Sequence, residues 1–160
     1  MCGIAGYWGG FDARLLGEMG RSIAHRGPDD VGDYHDSDAG IGLVHRRLSI
    51  LDLSPTGHQP MASDDGAVVL VFNGEIYNFR ELRTDLESSG HRFRGHSDTE
   101  VLLALYLREG EGMLSRLNGI FAFAIWDARS RKLFLARDGL GVKPLYYAET
   151  DAGFIFASEI

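Results

Sequence analysis

The sequence of 160 residues is poor in residues that staple or stiffen a chain, with one cysteine, four prolines and two tryptophans. A single thiol, Cys2, cannot close an internal disulfide. The six histidines and the single cysteine do not make up a set of zinc ligands at motif spacing, so no metal site is expected. No apolar run reaches the roughly 18 residues of a membrane-spanning helix. The first residues also lack the basic patch and long apolar core of a secretory signal. A soluble, cytoplasmic protein with no membrane partner is the expectation. Charge of one sign is nowhere concentrated either. Sixteen Lys and Arg against 23 Asp and Glu leave a net charge of −7, spread without a block of like charge, and that average field repels a phosphate backbone. Nucleic acid is therefore not an expected partner. These absences leave the lone thiol two roles, inert packing or chemistry.

Glycine, by contrast, is abundant, 21 in all, and punctuates short elements with turns. With 44% hydrophobic residues, enough to fill one core, a single domain over residues 1–160 is expected. Three segments have helical spacing. In DARLLGEMGRSIAHRGPDD, Leu15, Leu16, Met19 and Ile23 share a face behind an Asp12 N-cap, and Gly27-Pro28 ends the pattern. NFRELRTDLESSG offers Asn78 as cap, Glu81 three residues on, an apolar face of Phe79, Leu82 and Leu86, and Gly90 past the end. In SDTEVLLALYLREG, Ser97 and Glu100 are spaced as a capping box. Between and around these lie CGIAGYW, GIGLVHRR, AVVLVFN, GIFAFAIWD, KLFLARD, LYYAE and FIFAS, β-branched and aromatic runs of strand length. Loops as short as ARSR and TDAG imply hairpins and hence antiparallel sheets. In IFAFAIW, Phe121, Phe123 and Ile125 alternate with Ile120, Ala122, Ala124 and Trp126, so both faces are apolar and both must be covered. A second sheet on one face and helices on the other give an α+β, helix-sheet-sheet-helix sandwich, although periodicity alone leaves the layer order open.

A cysteine at the head of a chain can act as nucleophile without a histidine. The α-amino group freed by removing Met1, with a pKa of about 7.7 to 8.0, serves as the base, so one residue carries both halves of the pair. With Met1 in place that base is missing. The plain alternative is a small buried hydrophobe at the start of a strand. Asn73-Gly74, behind five apolar residues, reads as a hairpin turn, while glycine's freedom also lets backbone approach a ligand. Arg46 and Arg47 are neighbours, so strand alternation puts them on opposite faces and only one can face a pocket. His91 and His96 read as loop residues, DGLGVKP as a turn, and Trp126 and Tyr146 as core or hairpin packing.

RGPDD (Arg26 to Asp30), RRLSILD (Arg46 to Asp52), FNGEIYN (Phe72 to Asn78) and HSDTE (His96 to Glu100), in this order behind MCGIAG, closely resemble the glutamine amidotransferase domain of asparagine synthetases. ARDGLGVKPLYY and FASEI resemble it too, so the likeness spans essentially the whole chain. The resemblance implies the fold of the N-terminal nucleophile hydrolases, an αββα four-layer sandwich of two mainly antiparallel sheets flanked by helices. It also implies hydrolysis of L-glutamine to glutamate and ammonia through a thioester on Cys2. Carried over residue by residue, it makes the side-chain amide of Asn73 and the backbone N–H of Gly74 the oxyanion hole. Arg47 becomes the grip on the substrate α-carboxylate, with Arg46 a solvated charge. The backbone of Leu48, Ser49, Ile50 and Leu51 becomes the adjoining wall, and Asp98, helped by Glu75, the partner of the α-ammonium. Asp98 would also stabilise a helix N-terminus by itself. Arg26 resembles the family arginine near the nucleophile, where a cation favours thiolate, against a plain surface arginine after a helix end.

Longer family members continue into a synthetase domain that activates a carboxylate with ATP, and these 160 residues contain no counterpart of it. The resemblance therefore implies no cofactor within this domain, with ATP and Mg confined to the synthetase domain. The implied partners are L-glutamine and a synthetase domain, normally in the same polypeptide, that receives the ammonia. A homodimer and the identity of the ammonia acceptor are left open. The competing reading is a catalytically silent scaffold or interaction domain of the same fold. A third, an N-terminal-cysteine hydrolase of some other amide, is opposed by the pairing of Arg47 with Asp98.

Overall fold

The structure, a computed structural model, describes residues 1–48 and 57–160. In chain order the elements are β1 (Gly3–Gly9), α1 (Arg14–Ser22), a 3₁₀ turn (Ala24–Arg26), β2 (Asp30–Asp36), β3 (Ile41–Arg47), β4 (Met61–Ala62), β5 (Val68–Ile76) and α2 (Phe79–Ser88). There follow α3 (Asp98–Glu109), a 3₁₀ segment (Gly110–Arg116), β6 (Gly119–Asp127), β7 (Lys132–Arg137), β8 (Tyr146–Thr150) and β9 (Gly153–Ala157). The strands form two antiparallel sheets, ordered β2-β3-β1-β9-β8 and β4-β5-β6-β7.

The layer order follows from which face each strand buries. Ala5, Tyr7 and Val44 of the first sheet pack against Leu16 of α1 and the adjacent Ile23. The opposite face of that sheet, with Ile4, Ile41, Leu43 and Phe156, meets Val69, Val71, Ala122, Ala124 and Trp126 of the second. The far side of the second sheet, including Phe121, Phe123 and Ile125, lies under Leu82 and Leu86 of α2 and Val101, Leu102 and Leu105 of α3. The two apolar faces of β6 are thus covered as its alternation demands, one by a sheet and one by helices. Each such side chain contributes about 1.5 to 3 kcal/mol on leaving water. Residues Val101 to Tyr106 of α3 are all buried, because that helix is packed between the sheet, α2 and the 3₁₀ segment that follows it.

Several local expectations are revised. Asp12 accepts the Arg14 N–H at 2.8 Å, but the helix starts at Arg14 behind Ala13. Asn78 precedes α2 without a side-chain cap bond. Its amide instead donates to Arg116 O at 2.9 Å and accepts Asn118 N–H at 3.0 Å, which anchors the start of β6. Asn73-Gly74 is no turn: β5 runs through it to Ile76, pairing Gly74 with Phe121 and Ile76 with Gly119. Strand β2, with the polar sequence DVGDYHD, carries no apolar alternation of its own. It is an edge strand held by its ladder with β3.

Candidate active site

The thiol lies where β1 meets the end of β3. Gly3 pairs with Arg46, which sets Cys2 beside the last residues of β3. Leu48 N–H donates to the sulfur at 3.4 Å, and the Sγ–H points at Leu48 O at 3.7 Å. Since Ile4 faces the layer between the sheets, alternation turns Cys2 to the same layer. Its nitrogen is in peptide linkage with Met1, which is 54% exposed and accessible to removal. Arg26 is not a surface arginine. It is 9% exposed, donates from Nε to Cys2 O at 3.0 Å, and reaches Glu159 from Nη1 at 2.7 Å. The RGPDD loop can cross the end of β3 because a Cβ on Gly27 would stand 2.4 Å from the Arg46 carbonyl carbon and 2.5 Å from Arg47 N.

Across the layer stands β5. Val69 and Val71 face the first sheet, so Asn73 does too. It is 1% exposed, and its Nδ2 has no hydrogen-bond partner among the described residues. Leaving a buried amide donor unmade costs about 1 to 3 kcal/mol. Gly74 presents its backbone by the same alternation of edges. Phe72 N–H goes to Gln59 Oε1 and Ile76 N–H to Asp98 Oδ2, both away from β6, whereas Tyr77 N–H goes to Asn118 O on the β6 side. Gly74 N–H therefore points to the open edge of β5, beside Phe72 and Ile76. A Cβ on Gly74 would lie 2.4 Å from Ile120 O, so a larger residue would force β5 away from β6.

Arg47 falls on the inter-sheet face with Ile41, Leu43 and His45, half-buried and opposite Asp30 in the β2–β3 ladder. Burial pushes the Asp30 carboxyl up, but His58 at 2.7 Å and the Arg47 charge hold it below its ordinary value overall. Arg46 points to the other face as expected, yet it is no solvated charge: its Nε donates to Gly20 O near the end of α1 at 2.8 Å. Asp98, the first residue of α3, accepts Ile76 N–H at 3.0 Å. Burial pushes its carboxyl above the usual range, and the charge of neighbouring Glu75 adds to this, against the backbone N–H bonds that lower it. Glu75 is exposed. Leu48 lines the sulfur through its backbone, while Ser49, Ile50 and Leu51 lie outside the described residues. His45 and Gln59 were not singled out in the sequence. The available signal was a histidine at an inward position of an otherwise apolar strand face; Gln59, in an irregular segment, offered none.

Two antiparallel sheets packed face to face between helices, with a half-buried thiol at the head of the chain, define the fold of the N-terminal-nucleophile amidotransferases. A family model described as "Glutamine amidotransferase domain" matches residues 1–160, and the chain belongs to that family. Asparagine synthetase [glutamine-hydrolyzing] 1 of Bacillus subtilis is 44% identical over 166 residues, covering 99% of this chain and 26% of that protein. The amidase chry2 of Gibberella zeae is 42% identical over 138 residues, covering 86% of this chain and 20% of that one. Among solved structures, the glutamine phosphoribosylpyrophosphate amidotransferase from B. subtilis superposes with a TM-score of 0.80 at 25% identity, over 98% of this chain and 42% of that one. The chain spans about a quarter of the length of the curated asparagine synthetases it matches.

Proposed function

We propose that this chain hydrolyses L-glutamine to L-glutamate and ammonia through a thioester on Cys2, and that the ammonia serves an ATP-dependent amidation of the asparagine-synthetase type. The observation that carries this reading is Asn73 Nδ2, a buried donor with no partner among the described residues, on the sheet opposite the one that begins beside the thiol. Its desolvation is offset when an oxyanion takes the bond, which is the condition for transition-state binding.

Removal of Met1 frees the Cys2 amine. That amine takes the thiol proton as the sulfur attacks the side-chain carbonyl carbon of glutamine. The carbonyl electrons move onto oxygen, where Asn73 Nδ2–H and Gly74 N–H stabilise the charge. Collapse of the adduct breaks the C–N bond, and the Cys2 ammonium protonates the departing ammonia. Water, deprotonated by the same amine, then cleaves the thioester and releases glutamate. Arg47 holds the α-carboxylate through a bidentate pair, and Asp98 with Glu75 receives the α-ammonium. Free glutamine is thereby told from a glutaminyl side chain, whose α-groups are bound in peptides.

The test combines intact mass, to verify the loss of Met1, with glutamate release from saturating glutamine. Cys2→Ala is expected to abolish release while changing unfolding free energy by no more than about 1 kcal/mol. Trimmed wild-type protein that leaves glutamine intact would overturn the reading in favour of a silent scaffold.

A further inference from the structure

We infer that His45 is a positioning residue for the oxyanion hole, tying the sheet that bears Cys2 to the strand that bears Asn73 and Gly74. The inference rests on the glutamine-hydrolysis reading above and assigns a role to a side chain which that mechanism leaves unused.

His45 sits on β3, opposite Ile4 on one side and Gly32 on the other, and is 1% exposed. Its face of the sheet looks onto β5. There its Nε2 lies 3.2 Å from Phe72 O. A carbonyl oxygen only accepts, so Nε2 carries the proton and donates. Burial holds the imidazole down at about 4, with the Arg47 charge acting the same way against the Phe72 bond and the Asp30 charge, so the ring is neutral at physiological pH. Besides Cys2, Arg47 and Asn73, the described residues of this layer include an apolar cluster of Ile4, Ile41, Leu43, Val69, Val71, Ala122, Ala124 and Trp126. Apolar contact is non-directional and leaves sliding of one sheet over the other weakly resisted. A hydrogen bond fixes it to within tenths of an ångström.

The acceptor is well chosen for that purpose. Phe72 O belongs to the peptide that leads into Asn73. The N–H of Phe72, on the same edge, is taken by Gln59 Oε1 at 2.6 Å, and Gln59 in turn donates to Thr99 Oγ1 at 3.4 Å. Two positions beyond Gly74, Ile76 N–H is taken by Asp98. The stretch of β5 that carries Asn73 and Gly74 is thus clamped at both ends, by β3 and α3, with the Gly74 N–H directed through the gap. Nucleophile and oxyanion donors come from different sheets, so the spacing between sheets sets the geometry of the hole. Donors must come within 2.7 to 3.1 Å of the oxyanion, and a displacement of about 1 Å costs on the order of a hundredfold in rate.

The test compares wild-type, His45→Phe, which fills the space without a donor, and His45→Gln, which restores one, all trimmed of Met1. His45→Phe is expected to lower kcat roughly 10- to 100-fold with KM within about twofold. Iodoacetamide, which needs no oxyanion hole, should alkylate Cys2 at the wild-type rate. Amide exchange should quicken over residues 72–76 and not across β6, and His45→Gln should recover most of kcat. In the wild type, nitrogen NMR should find His45 as the Nε2–H tautomer with a slowly exchanging proton. Unchanged kcat and unchanged exchange in β5, a parallel fall of kcat, alkylation rate and global protection, or an Nδ1–H tautomer in the wild type would each overturn the inference. Wild-type protein that releases no glutamate sinks the hydrolysis reading instead, and the clamp is then decided by exchange and tautomer alone.

Discussion

Asp98 concentrates the electrostatics of the candidate pocket in one carboxyl group. Burial raises its proton affinity, Glu75 raises it further, and the Ile76 and Thr99 N–H groups offset only part of this. Among the described residues no cation acts on this carboxyl, and in the proposed reaction an α-ammonium supplies one. Binding of glutamine should therefore lower the Asp98 pKa, and acid should oppose binding. As pH falls through the raised pKa of the free protein the carboxylate is protonated and its pairing is lost, so KM for glutamine is expected to rise on the acid side. Initial rates across pH check this: Asp98→Asn should raise KM and flatten its acid limb, and an unaltered limb would exclude Asp98 as its source.

Helix α3 links stability to the proposed site. Ser97 Oγ accepts Glu100 N–H at 3.3 Å, which satisfies one of the free donors of the first turn. Glu100 does not return the bond to Ser97 as a capping box would. Its carboxylate reaches back to Arg94 N–H at 2.7 Å and Gly95 N–H at 2.9 Å, so it shapes the loop that delivers the helix. The same first turn carries Asp98 onto Ile76 of β5. Removing the cap should therefore affect both functions of the helix. Ser97→Ala is expected to cost about 1 kcal/mol in urea unfolding and to raise KM with little change in kcat. Unchanged stability would mean that the cap is not limiting.

For the whole molecule, the polar tie between the two sheets has a consequence in acid. An unfolded histidine titrates near 6.5, whereas folded His45 does so at about 4. The native state binds fewer protons between those values, so the contribution of neutral His45 is complete above pH 6.5 and drains away as pH falls toward 4. Linkage puts the loss at about 2 kcal/mol between pH 7 and pH 5. Asp127 and Asp138 act in the same direction at lower pH. The Asp127 carboxyl is held down by Arg129 against the cost of burial. For Asp138, burial raises the pKa, but the N–H groups of Lys143, Val142, Phe121 and Leu140 outweigh it. Their contributions are present above the ordinary carboxylate range and are lost only as pH falls through the depressed values. Urea midpoints at pH 7 and pH 5 test the first step: the His45→Gln variant should lose most of the slope, and a slope identical to wild type would refute the assignment.

The features legible in the sequence were those that repeat along the backbone. Alternation in IFAFAIW required two covered faces, helical spacing marked the three helices, and neighbouring Arg46 and Arg47 had to diverge. The motifs also singled out Cys2, the Asn73-Gly74 pair and Asp98, and the structure joins two of the segments that carry them, β5 and α3, through the Ile76–Asp98 bond. Other features depended on partners distant in the chain. Strand β2 exists because β3 offers it a ladder, and Asn73-Gly74 stays extended because β6 continues alongside as far as Gly119. Asn78 leaves its own helix for Arg116 and Asn118, Arg46 turns to Gly20, and Arg26 is buried against Cys2 and Glu159. Sequence alone determined the periodic surfaces and the chemical groups available, because side-chain direction follows from local backbone geometry. Tertiary structure alone decided which polar groups meet, since a hydrogen bond depends on where two distant segments lie when the sheets close.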